Sequence, residues 1–195
     1  MGGENPFGKG LIEIILCSRT GGRQGKGFAV AMVHNRGILH SFRTHLMALL
    51  TGNTINERLQ AMLPSGSGLQ IPPACLLDMQ GEPLEYEEGV SLSVRFPVLP
   101  RYANPLGHMQ GGFIVAALDN TMGPFSYLIA PPSVTASLNT QYLRPVTPET
   151  RFITCVARLT ERTRATLYLT GEARNPEGKV VAMCQATCQI LPAKG

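Results

Sequence analysis

Residues 111–122 form an apolar run whose members, wound at 100° per residue, point in almost every direction. Phe113, Ile114, Val115, Ala117, Leu118 and Met122 cover nearly the whole circumference. A helix of that kind has no face for solvent, so the rest of the chain must close around it. The material for closure is present. Val90, Leu92, Val94, Phe96 and Val98 alternate with Ser91, Ser93, Arg95 and Pro97, the period-two pattern of a half-buried strand. Four more strand-like segments follow the helix, at 134–143, 151–159, 164–174 and 179–191. Their breaks are turn chemistry: Arg144-Pro145 with Pro148, then Glu161-Arg162-Thr163, then Asn175-Pro176-Glu177-Gly178. The pattern predicts an α+β fold in which an antiparallel meander wraps one central helix. Gly123-Pro124 is expected to kink or end that helix.

Ahead of this unit, Asn53 or Thr54 is expected to cap a short helix reaching about Leu63, with Glu57 as capping-box partner of Thr54 and Pro64-Ser-Gly-Ser-Gly closing it. Residues 75–79 and 84–86 read as short strands around the turn Gln80-Gly81-Glu82.

Between positions 102 and 143 there is one formal charge, Asp119, inside the helical run. An unpaired carboxylate in an apolar helix is costly to desolvate, so its presence points to a hidden partner or to chemistry. The structural alternatives are a cap on the turn near Gly123-Pro124 or a pair with Arg144. On the helical wheel Asp119 shares a side with Gly112, Val115 and Ala116, small residues that leave room beside it.

The net charge of +4 divides by position. Residues 1–46 hold six Lys and Arg against two acidic residues, and residues 47–195 hold eleven against eleven. Three of the four histidines, His34, His40 and His45, also fall in the first segment. Residues 1–46 therefore read as a basic N-terminal extension outside the fold, and 47–195 as the domain, with Met47 a candidate natural start. No motif organises the basic residues for nucleic acid, and the apolar patches are too short for a membrane span or a secretion signal. The five cysteines form no C-x-x-C pair and no zinc-spaced cluster. They are expected to be reduced core thiols of a cytoplasmic protein without metal or cofactor, with Cys184 and Cys188 on one strand face.

Asn104-Pro-Leu-Gly107-His-Met-Gln110-Gly111-Gly112, followed by Asp119-Asn120, resembles the signature of PaaI-like hotdog-fold acyl-CoA thioesterases, as do Val134 to Pro145 and the hairpin Asn175 to Ala182. The resemblance covers residues 55–191. Gln110 departs from the pattern, standing where the family most often has His. A carboxamide takes no proton at neutral pH, and His108, in the preceding loop, need not point the same way.

The resemblance implies hydrolysis of an acyl-CoA thioester. Asp119 would act as general base or nucleophile, the Gly111 N–H as oxyanion donor, and Gln110, Asn104 and Thr135 as hydrogen-bonding partners of water or carboxylate. Gly111, lacking a Cβ, would let the substrate approach that backbone closely, and Gly112 would be a substrate-binding residue. Arg144, Arg162 and Arg164, at strand ends, would meet the CoA phosphates. Seven residues at 1.5 Å rise separate Gly112 from Asp119 by about 10 Å. One carbonyl therefore needs both groups from different chains, so the resemblance implies a homodimer or a tetramer built from dimers. Two alternatives stand beside it: a non-catalytic acyl-CoA-binding hotdog protein, and a hotdog dehydratase or hydratase. Met109, Phe113, Met122, Phe125 and Tyr127 are candidates for the acyl pocket or for core.

Overall fold

The computed structural model describes residues 50–63 and 70–192. The expected extension over residues 1–46 and the segment 64–68 lie outside the described residues. In chain order the elements are β1 (Leu50–Thr51), α1 (Asn53–Met62), α2 (Ala74–Asp78), β2 (Glu82–Glu87), β3 (Ser91–Pro97), α3 (Gly111–Ile129), β4 (Ser133–Tyr142), β5 (Phe152–Arg162), β6 (Thr166–Arg174) and β7 (Val180–Ile190). Single 3-10 turns at Pro100–Tyr102 and Pro148–Thr150 punctuate the loops.

The seven strands form one antiparallel sheet in the order β1-β2-β3-β5-β6-β7-β4. The expected α+β architecture holds, with one difference. β4 does not lie beside β5 but at the far edge, paired with β7. Its apolar and polar residues fix which face it shows, whereas the loop between β4 and β5 decides where it sits.

α3 lies across the sheet and touches β3, β4, β5, β6 and β7. Ile114, Leu118, Met122 and Phe125, spaced four, four and three apart, are at most 3% exposed. A row of register partners, Leu92–Ala157–Gly171–Cys184–Thr140, crosses the sheet from β3 to β4. At its centre Gly171 permits the close approach. A Cβ there would come within 2.4 Å of the Met122 methyl and 3.0 Å of the Cys184 sulfur.

α3 does not end at Gly123-Pro124. It runs through Pro124 because Phe125 and Leu128 continue the buried stripe, and that burial outweighs a proline cost of about 3 kcal/mol. It stops at Ala130, ahead of Pro131 and Pro132. The expectation of burial all round also needs correcting for the single chain. Gly112 and Asp119 are exposed and Val115 and Ala116 half-buried, so one stripe of α3 is left uncovered by its own sheet.

Two local expectations fail. Residues 75–79 are helical, not extended. Leu76 and Met79, three apart, are buried while Leu77 is exposed, and Gln80 at φ +53° turns the chain out of α2. α1 has Gly52 at its cap and no side-chain cap bond, and the Thr54 hydroxyl donates back to the Thr51 carbonyl. The capping box with Glu57 is therefore absent. Cys155, Cys184 and Cys188 are buried as expected, but Cys75 is exposed. Burial pushes the Cys184 thiol up to about 11, with the Asp119 carboxylate adding to the shift, and burial likewise raises Cys155 and Cys188. No helix among the described residues is long and apolar enough to cross a bilayer.

Candidate active site

The exposed stripe of α3 carries Asp119, and β4 returns alongside it after the three-residue connection 130–132. That return sets Thr135 beside the carboxylate, and its hydroxyl donates to Asp119 Oδ1 at 3.0 Å. Neither Arg144 nor the Gly123-Pro124 turn engages Asp119, and among the described residues it forms no ion pair. Both residues line a cavity of about 430 Å³ walled by α1, α2, α3 and β3. Its surfaces are mainly apolar, including Ile55, Leu59, Ile71, Leu92 and Val94.

Gly111 opens α3, and its amide and that of Gly112 are among the four at a helix start without intrahelical acceptors. Among the described residues no backbone carbonyl takes either one. The positive end of the helix dipole is thus presented with open donors. Gly111 is also closely approached by a side chain of its own fold. A Cβ there would meet the Tyr142 ring and hydroxyl at 2.9 Å. A Cβ on Gly112 would meet only the movable end of Gln110, its Oε1, at 2.9 Å.

A second cavity, about 460 Å³, lies at this helix start, lined by Asn104, His108, Gly111, Tyr142 and Arg144 among others. His108 lines this space together with Gly111. Asn104 Oδ1 accepts from the Leu106 and His108 amides at 2.9 and 3.1 Å, so its oxygen organises the loop rather than reaching Asp119. Gln110 is exposed at the helix cap and makes no cap bond.

The three arginines do not form one group. Arg144 lies beside the helix start and donates to the Val180 carbonyl. Arg162 donates to the Ile129 carbonyl at 2.9 Å, capping the opposite end of α3, about 27 Å away. Arg164 is exposed in the turn between β5 and β6. Of the apolar candidates, Met122 and Phe125 are core, Phe113 stacks on Tyr102 with ring centres 4.1 Å apart, Met109 lines the helix-start cavity, and only Tyr127 lines the cavity at Asp119. Asn56, Asn120 and Gly123, which also line that cavity, carry no sequence signal as single residues.

A family model described as the thioesterase superfamily matches residues 106–182, which include Gly111, Asp119, Thr135 and Tyr142. Over those residues the chain resembles the thioesterase superfamily, and its fold is the α+β hotdog fold. Among solved structures, a phenylacetic acid degradation-related protein of Ralstonia eutropha is 26% identical with a TM-score of 0.58, over 70% of this chain and 98% of that one. The PaaI protein of Escherichia coli has the same fold at 16% identity and a TM-score of 0.60, over 71% and 96%. A Streptococcus mutans protein bound to acetyl CoA also has it, at 17% identity and a TM-score of 0.56, over 68% and 100%. A comparison with curated protein sequences gave no match. In this hotdog-fold chain, a carboxylate and a set of helix-start amides lie on one helix but open into two separate cavities.

Proposed function

We propose that this protein hydrolyses acyl-CoA thioesters, with Asp119 as general base or nucleophile. The observation that carries the reading is the Asp119 carboxylate, held by the Thr135 hydroxyl at the edge of an apolar cavity. Thr135 leaves the second carboxylate oxygen available to a water or to the thioester carbon. The carbonyl oxygen that gains charge in the transition state needs donors already in place, and the Gly111 and Gly112 amides are such donors. A relative of the same fold bound to acetyl CoA supports CoA as the carrier.

Because the two groups are about 10 Å apart along one helix, the working site combines Asp119 of one chain with the helix start of a second. A homodimer formed about the exposed stripe of α3 and the free edge of β4 supplies that arrangement. Arg144, beside the helix start, is the cation placed to meet CoA phosphate.

The test is thiol release from a panel of short, medium, long and aryl acyl-CoAs. Asp119→Asn keeps shape and hydrogen bonding but removes the base, and kcat/KM is expected to fall by about 100-fold or more. Turnover equal to that of the unaltered protein overturns the assignment. Binding of acyl-CoA without turnover by the unaltered protein would instead establish the non-catalytic reading. With DTNB as detector, the protein's own thiols, exposed Cys75 among them, are subtracted with a substrate-free control.

A further inference from the structure

β4 carries an irregularity that aims two of its side chains. Thr135 and Tyr142 are seven residues apart, an odd spacing that puts side chains on opposite faces of a regular strand. The register against β7 shifts between Thr135 and Ser137, so Ala136 is one residue extra. Thr135 therefore pairs with Cys188 and Tyr142 with Ala182, both buried and on the same face of β7 as Cys184, which touches Met122 of α3. Direct contacts agree. Thr135 holds Asp119, and the Tyr142 ring lies against Gly111, where a Cβ would meet its Cζ and its hydroxyl at 2.9 Å. One strand thus reaches both ends of the open stripe of α3.

The two hydroxyls differ in what they have left to give. That of Thr135 is committed to the carboxylate. Tyr142 is 55% exposed, lines the helix-start cavity with Gly111 and Arg144, and its hydroxyl engages no group among the described residues. Beside it the Gly111 and Gly112 amides are open as well, since Phe113 is the first α3 amide that bonds back, to the Gln110 carbonyl. Two open amides are the ordinary consequence of a helix start. The third donor comes from another element, and the bulge in β4 is what turns Thr135 and Tyr142 to the same side.

We propose that Tyr142 is a catalytic residue, its hydroxyl donating to the thioester carbonyl oxygen together with the Gly111 and Gly112 amides. The inference rests on the thioesterase reading above and on its two-chain site. β4 is the last strand of the sheet and carries neither charge nor proline from Ser133 to Tyr142, so its outer edge is free to pair. Antiparallel pairing of two copies near Leu138 sets the Tyr142 end of one beside the Thr135 end of the other. In the general-base route, water adds to the carbonyl carbon as its proton passes to Asp119. The C=O electron pair moves to oxygen, where Tyr142 and the amides bind it. Its return expels the CoA thiolate, which takes the proton. Tyr142 gives up no proton in this cycle, because a phenol stays protonated at neutral pH and serves as a hydrogen-bond donor.

The experiment compares Tyr142→Phe with the unaltered protein in thiol release from acyl-CoAs. Phenylalanine keeps the ring against Gly111 and removes only the hydroxyl. kcat is expected to fall about tenfold while KM stays within about twofold. An unchanged kcat, or a loss confined to KM, overturns the proposal while leaving thioester hydrolysis intact. Calorimetric titration with two unreactive CoA analogues isolates the contact: a ketone in which CH2 replaces the thioester sulfur, and a thioether without a carbonyl. Tyr142→Phe should weaken the ketone about tenfold and leave the thioether unchanged. Equal weakening of both, no weakening, or no binding of the ketone by the unaltered protein overturns the proposal. If no thioester is turned over, the thioesterase reading fails, and the titrations decide the Tyr142 contact separately.

Discussion

The two long faces of α3 differ in side-chain size and in surroundings. One, through Ile114, Leu118, Met122 and Phe125, is sealed by the sheet. The other, through Gly112, Val115, Ala116 and Asp119, is open in the single chain. A helix whose residues are apolar all round is thus half committed to its own core and half reserved. On the reading above, the reserved half meets a second subunit and the thioester.

That comparison assigns different consequences to neighbouring positions. Asp119→Asn, with the largest expected effect, should reduce turnover by about 100-fold or more while the melting temperature stays within a few degrees. Leu118→Ala, one residue away, should cost about 2–5 kcal/mol in denaturant unfolding, with kcat/KM of the surviving folded protein little changed. A Leu118→Ala protein of undiminished stability would break the distinction between the faces.

The helix start sharpens it. Gly111→Ala drives a Cβ into the Tyr142 ring and should cost about 1–3 kcal/mol, whereas Gly112→Ala displaces only the end of Gln110 and should cost less. Combining Gly111→Ala with Tyr142→Ala should recover most of that stability, measured as a double-mutant cycle. Additive losses would show that the tyrosine is not what requires the glycine.

The smallest effect lies on the sheet, away from both faces. Burial disfavours ionisation of Glu172, but hydrogen bonds from Arg174 and Arg158 outweigh it and hold the carboxyl below its ordinary value of 4.5. A depressed folded value stabilises the protein above the ordinary pKa, and that contribution declines as pH falls below 4.5 toward the folded value. These ion pairs are partly exposed and screened by salt, so the effect should stay under about 1 kcal/mol. Melting of Glu172→Gln against the unaltered protein should differ at pH 7, and the difference should shrink as pH falls below 4.5. A difference that does not shrink on acidification would remove the electrostatic explanation.

Much of this was legible in the residues. The alternation from Val90 to Val98 and the turns at Pro145 and Gly178 locate strands because side-chain direction repeats every two residues whatever lies opposite. The all-apolar run at 111–122 gives the central helix for the same local reason. The short α2 was missed because five residues around Leu76 are too few to separate period two from period three. The arginines were misgrouped because strand ends that look equivalent in sequence lie at opposite ends of a helix roughly 27 Å long.

By itself, then, the sequence determined the long strands, the central helix and the lone carboxylate on it, since those follow from local periodicity and from the cost of burying charge. Only the tertiary structure decided that β4 sits at the sheet edge and that Thr135 binds Asp119. It also decided that Tyr142 occupies the space beside Gly111 and that the Asn56 side-chain oxygen is buried with no partner among the described residues. Each of these depends on residues brought together by the closing of the sheet over α3, and no spacing along the chain encodes which groups that closure leaves paired or unpaired.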